Sequence, residues 1–363
     1  MSRRTSARLA LVIGLTTSQR GMAQTAITVA ESERLLAPLV EAYGVSGAEA
    51  PVREVVLRQL PSWAKTETDT AGNLWVRVGS GDPLVVIVAH LDEIGFRVTA
   101  IRDDGQLLLE PRGGFYPTLY EAEPALVHTA GGPVPGIFTP RDSAVARRSP
   151  GAIRVDVGTL SAEATAALGI EVGATVTMPK QYVRLAGTRA TGRSFDDRVG
   201  CAALLLALRH LDPARLRHEV VFLWSVREEI GLEGARAAAN ALGTKPTRVH
   251  AIDTFVSSDA PLEIKTYADA PLGRGPVIRA LDNSAAAPVA LVDSLRRLAV
   301  RARVPLQYGT TSGGNDGSTF LPWGVPDVAI GWPLRYSHSP VETIDLRDVA
   351  HLAEVVRLIA QQW

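Results

Sequence analysis

At 363 residues the chain is long enough for one large domain, or for a core domain carrying an insertion. A hydrophobic fraction of 46% and a charged fraction of 21% disfavour both disorder and membrane spanning. Lys+Arg and Asp+Glu each total 38, so no global basic field exists to recruit nucleic acid.

Residues 1–30 differ from the rest. MSRRTSAR is a basic run, LALVIGL is a short apolar run, and Gly21-Met22-Ala23 or Thr28-Val29-Ala30 offers small residues for cleavage. That layout is a secretory signal and points to a periplasmic or secreted protein. A disordered N-terminal extension on a cytoplasmic protein is the alternative. The apolar run is too short to cross a bilayer, so no stable membrane insertion is expected.

Apolar spacing then predicts helices over 32–43 and 50–60, and strands over 73–78 and 84–89. From about 96 to 183 the texture changes to short β-like runs with frequent turns (FRVTAI, QLLLEP, PALVHT, AIRVDVG), interrupted by one helical stretch over 161–168. Residues 142–150 read as an exposed loop. Helix and strand alternate again afterwards: helices over 197–211, 232–242, 287–303 and 346–362, and strands over 220–226, 249–253 and 328–330. The expected architecture is a three-layer α/β/α domain (31–97 plus 184–363) with an inserted small β-barrel-like domain (98–183). Cys201, the only cysteine, lies in an apolar helical stretch and reads as a small buried thiol.

Four apolar runs end in metal-binding residue types: VVIVAH at His90, VVFLWSVREE at Glu228 and Glu229, VHAID at Asp253, and DVAIGWPLRYSH at His338. In an open α/β sheet the carboxyl ends of such strands converge on the ligand crevice. Asp92, two residues after His90, is placed to accept from the second imidazole nitrogen and fix its tautomer, although HxD also occurs in plain surface turns. Asp196 and Asp197 precede an apolar helix; ordinary N-capping accounts for one of them, and the second is free to bridge two cations. Adjacent Glu228 and Glu229 cannot face the same way, so one can bind metal while the other serves as general base; a solvated pair at a helix start is the bland alternative. Two divalent cations bring about +4, matched by Asp196, Glu229, Asp253 and a bridging hydroxide at about −4, with both imidazoles neutral. Ligands of N and O type without thiolate suit Zn, with Co or Mn possible.

The motifs AHLDEIGF, SFDDRVG, REEIGLEGA, AIDT, LGRGPVI, SGGNDGSTF and PLRYSHSPVETIDLRDV occur in this order. Together they resemble the tetrahedral (TET) and glutamyl aminopeptidase family, whose members have also been labelled cellulase M or endoglucanase. The resemblance implies a dinuclear metallo-aminopeptidase that removes N-terminal residues from short peptides, with a water between the metals as nucleophile. By that resemblance His90, Asp253, Glu229 and His338 are single-metal ligands, Asp196 is the bridging carboxylate, Glu228 is the general base and Asp92 orients His90. It also implies a homo-oligomer formed through the inserted domain, and it places Gly313, Gly314, Asn315 and Asp316 near the substrate. An acyl-amino-acid deacylase or carboxypeptidase on a related scaffold normally carries its extra domain after the Glu-Glu motif, which disfavours that alternative. A non-catalytic relative would have lost Glu228 or a ligand, and neither is missing.

Overall fold

The computed structural model describes residues 26–140, 153–257, 259 and 270–363. The signal-like run over residues 3–15 and the loop read over 142–150 lie outside them. Seventeen strands are seen among the described residues: β1 (Thr66–Thr68), β2 (Leu74–Val78), β3 (Leu84–His90), β4 (Gly95–Ile101), β5 (Leu107–Arg112), β6 (Pro124–Thr129), β7 (Gly132–Phe138), β8 (Ile153–Asp156), β9 (Thr175–Thr177), β10 (Val183–Arg184), β11 (Arg189–Gly192), β12 (Glu219–Ser225), β13 (Arg248–Val256), β14 (Val277–Leu281), β15 (Gln307–Thr310), β16 (Ile330–Leu334) and β17 (Glu342–Asp345).

Eight of them form one mixed sheet in the order β1-β2-β12-β3-β13-β16-β14-β15. Its centre, β12-β3-β13-β16, is parallel throughout. Parallel strands are covered on both faces and read as unbroken apolar runs, as in the wholly buried Leu84-Val85-Val86-Ile87-Val88-Ala89-His90. Alternate residues of β3 enter different cores. Val85, Ile87 and Ala89 pack under the helices Val29–Glu41, Phe195–Arg209 and Leu346–Gln362, whereas Leu84, Val86 and Val88 pack with residues of the helix Glu233–Ala241 and the 3-10 segment Asp316–Trp323. Two helical layers on one sheet make the expected α/β/α sandwich. The inserted strands close into a six-stranded barrel, β4-β5-β8-β7-β6-β9, around Phe96, Tyr120, Phe138 and their aliphatic neighbours.

Element limits moved where side chains override periodicity. The first helix starts at Val29 because Thr28 caps it, its hydroxyl accepting from Glu31 N at 3.1 Å. The strand expected over 328–330 runs instead through Ile330–Leu334, across Gly331 and Pro333. Its ladder to β14 stops at Gly331, so that side is an open edge beyond it, where proline costs no ladder bond. Strands β1, β14 and β15 and the small sheet β10-β11-β17 had no apolar run long enough to announce them.

Candidate metal centre

Because the four central strands run the same way, their carboxyl ends share one rim. His90 ends β3 opposite Ser225, the last residue of β12, and Asp253 sits near the end of β13 opposite Gly331 of β16. The chain leaving β12 carries Glu228 and Glu229, and the chain leaving β16 carries His338. These residues and Asp196 line a cavity of about 460 Å³ whose remaining wall includes Leu232, Thr254, Val256, Gly313 and Gly314.

Asp196 occupies the middle of the cluster. Its Oδ1 lies 3.1 Å from His90 Nε2 and its Oδ2 lies 3.1 Å from His338 Nε2. Two triads therefore share it, His90-Asp196-Asp253 and Asp196-Glu229-His338, each with all ligand atoms within 4.8 Å of one another. The two aspartates divide the work. Asp197 accepts from His90 N at 3.0 Å and from Gly200 N at 2.8 Å, so it is the structural member that ties the helix start to β3, and Asp196 is left for the site. Likewise the two glutamates diverge: Glu228 reaches toward His90 (4.0 Å) and Glu229 toward His338 (3.5 Å).

Asp92 lies just past the end of β3. Its Oδ1 is 3.5 Å from His90 Nδ1, which also stands 3.2 Å from the Asp92 carbonyl. The same carboxylate accepts from Ser46 Oγ (2.5 Å), Glu228 N (2.9 Å) and Glu229 N (3.1 Å). It thus fixes the Glu-Glu backbone as well as the imidazole. Two further acceptors continue the row: Glu49 Oε1 takes Arg227 N at 3.1 Å, and Asn73 Oδ1 takes Val226 N at 3.0 Å. Four consecutive amides are thereby held by three side chains from three separate segments. Arg227 (φ 54°), Ser194 (φ 66°) and His338 (φ 56°) all sit in the left-handed region, local strain of the kind that concentrates at functional sites.

Burial and crowding set the electrostatics. Burial by itself pulls His90 down, but the carboxylates of Glu228, Asp196 and Asp92 outweigh it and hold the imidazole well above its usual value. Glu229, followed by Asp196, does the same for His338 against its burial. Asp196 is held low because the two imidazoles overcome its desolvation. Glu228 is raised well above a normal carboxyl by burial and by Asp253, Asp316 and Glu229, and burial with Asp196 lifts Glu229 to about 7. Glu229 Oε1 is buried without a hydrogen-bond partner. Buried carboxylates crowded enough to raise one another, with an orphaned buried oxygen among them, fit divalent cations.

Arg279 was not evident from the sequence. Its NH1 meets Asp253 Oδ2 at 2.9 Å, its NH2 donates to Gly314 O at 2.9 Å, and its Nε lies 3.0 Å from Asp282. It adds a positive charge that the sequence count omitted, offset by Asp282 on its other side. Of the glycine-rich loop, Gly313 and Gly314 reach the cavity, whereas Asn315 and Asp316 are buried behind it, with Asp316 accepting from Ser225 Oγ. Ser46, Glu49 and Asn73 also went unread, because turn residues at helix and strand ends carry no sign of which amide they will accept.

Residues 72–355 match the M42 glutamyl aminopeptidase family. The chain belongs to that family. Among solved structures it is similar to the TET1 peptidase of Pyrococcus horikoshii, which assembles into a tetrahedron or a large octahedral shell (31% identity, 93% of this chain and 100% of that one, TM-score 0.82). It is also similar to an aminopeptidase of the archaeon Desulfurococcus kamchatkensis (31% identity, 92% and 96% covered, TM-score 0.85). The lysyl aminopeptidase of Pyrococcus furiosus is 29% identical over 344 residues, covering 90% of this chain and 96% of that protein. This M42 chain is a metallo-aminopeptidase, and the His, Asp and Glu groups on the sheet rim are its candidate metal-binding residues.

Proposed function

We propose that this M42 enzyme hydrolyses short peptides from the free N-terminus with two divalent ions. His90 and Asp253 would hold one, Glu229 and His338 the other, and Asp196 both. Zn is the first choice for a neutral N/O donor set, with Co and Mn as alternatives. When bound, such ions polarise the scissile carbonyl and make water acidic enough to attack near neutral pH. Glu228 takes the proton of the attacking water and delivers it to the leaving amine. A buried carboxyl raised above its usual range is suited to that exchange. Asp92 keeps both the His90 ring and the Glu228 backbone in register while the proton moves.

The observation that carries this reading is Asp196, whose two oxygens each lie 3.1 Å from a different imidazole at the shared corner of two ligand triads. Glu228→Gln is the test. The variant should keep wild-type metal content and lose about 100- to 10,000-fold in kcat on aminoacyl chromogenic substrates. Full turnover with metal retained would overturn the assignment.

We further propose a homo-oligomer built through the barrel, which exposes Ile137, Leu160, Leu168 and Val172. Light scattering should give a mass above the 38.7 kDa of one chain. Export is proposed from the basic and apolar runs at the N-terminus. Cleavage at Gly21-Met22-Ala23 is the favoured choice, because cutting at Thr28-Val29-Ala30 would remove the cap of the first helix. Cell fractionation with N-terminal sequencing decides it. Among the described residues no helix is long and apolar enough to cross a membrane.

A further inference from the structure

The inserted barrel meets the catalytic domain at the site itself. Its β5 ends at Arg112, and the next residues, Gly113 and Gly114, reach over the metal cluster before Phe115 returns to the barrel. Phe115 is anchored there by an edge contact with Phe96 and a tilted contact with Tyr120, ring centroids 5.1 and 5.2 Å away. On the other side Gly113 lies against Glu229 and Ile94: a Cβ at this position would come within 3.2 Å of Glu229 Oε2 and 2.6 Å of Ile94 Cγ2, at φ +108°. Only glycine fits so close an approach in that conformation. The loop is therefore held at both ends, and the carbonyl of Gly114 is presented to His338, whose Nδ1 lies 2.5 Å away.

His338 needs that contact. It occupies a turn with left-handed φ, 31% of its side chain is open to solvent, and its own amide is tied only to Glu342 at 3.1 Å. Without the Gly114 contact the ring would be held from one side only, by Asp196 and Glu229 at Nε2. With Nδ1–H donating to a fixed carbonyl, the proton is placed on Nδ1 and the Nε2 lone pair is aimed at Asp196 and Glu229.

We propose that the barrel is a working part of the metal centre, the Gly113-Gly114 loop being a positioning element whose carbonyl sets the tautomer and direction of His338. This rests on His338 being a metal ligand, as argued above. An insertion that serves assembly thereby also controls one of the two metal subsites, and leaves the His90 and Asp253 side alone.

The test is Co(II) titration of the metal-free full chain, followed by visible absorption, in wild type, Gly113→Ala and Gly131→Ala. Gly131 lies in a barrel turn where a Cβ meets nothing closer than 3.8 Å, so its variant controls for general effects on the barrel. Wild type and Gly131→Ala should take up two equivalents alike. Gly113→Ala should keep the first and bind the second about 10- to 100-fold more weakly, the usual loss for an outer-sphere partner. Phe115→Leu, which frees the loop without a clash, should weaken the same equivalent by less, and it carries the test if Gly113→Ala does not fold. Equal weakening of both equivalents, or unchanged binding of both, overturns the proposal. Wild type binding fewer than two equivalents overturns the two-metal reading, and this proposal with it.

Discussion

Every imidazole nitrogen in the metal cluster faces a defined partner: Nδ1 of each ring meets a backbone carbonyl, and Nε2 of each meets Asp196. In the absence of cations both rings hold a proton more tightly than a free histidine, because carboxylates crowd them. Cations must displace those protons, so uptake should release protons and tighten as pH rises through the raised histidine values. Calorimetry of Co(II) binding in buffers of different ionisation enthalpy checks this, and binding heats that do not change with buffer would contradict it. Cys201 shows the opposite case. Its thiol is fully buried, raised by desolvation, and donates to His90 O at 3.1 Å, so it is a packing residue and should resist thiol reagents until the chain unfolds.

At the level of elements, the strand ends bring the ligands together but the loops aim them. The chain after β12 has its amides at Val226, Arg227, Glu228 and Glu229 taken by Asn73, Glu49 and Asp92, which is why two neighbouring glutamates can be held apart. Asn73 also donates to Gly234 O at 2.9 Å, joining the start of β2 to the helix that follows the glutamates. Asn73→Ala would orphan the buried Val226 amide, at about 1–3 kcal/mol, and remove the tie to Gly234 O. Urea unfolding should report that loss, with a fall in kcat because the segment leading to Glu228 loosens at Val226. Gly234 belongs to the same joint: a Cβ there would come within 2.2 Å of Val226 O and 2.5 Å of Asn73 Oδ1. Gly234→Ala should therefore damage stability and activity together, measured in the same two assays.

Across the whole molecule, buried carboxylates make metal-free stability depend on pH. Burial pushes Asp316, Asp327 and Asp348 up to about 7 and Glu342 up to about 8, from ordinary values near 4. A folded value above the unfolded one means that the native state binds the proton more tightly. That contribution is fully present below the unfolded value and is lost as pH rises through the folded value. His90 and His338, also raised, act in the same sense. Asp92, Asp196 and Glu93 are depressed and lose their contribution only on acidification, outside this window. His128, His218, His250 and His351, lowered by burial, act in the opposite sense below their ordinary value of 6.5, so the metal-free protein should melt at progressively lower temperature between about pH 6.5 and about pH 8. Saturating Co(II) should reverse much of the fall, since a ligand at 100 times its Kd adds about 2.7 kcal/mol. Melting curves with and without the ion test both statements, and a metal-free Tm that rises across the window would refute the first.

The sequence by itself determined the layers, the barrel insertion and the residue types at the sheet rim. Apolar runs of strand length bounded by turns suit strands covered on both faces, and short β-like runs with frequent turns suit a small β unit, so these follow from the chain's own hydrophobic pattern. Recognition of Asp196 needed more than pattern, because a helix-start aspartate is indistinguishable from a cap until its neighbour Asp197 is seen doing the capping. Only the tertiary structure decided what aims the ligands: Asp92 shared between a ring and two amides, Arg279 against Asp253, and a barrel carbonyl on His338. Such partners meet across long stretches of chain through single hydrogen bonds. A hydrogen bond depends on the direction of a few atoms, and that direction leaves no periodic trace in a sequence.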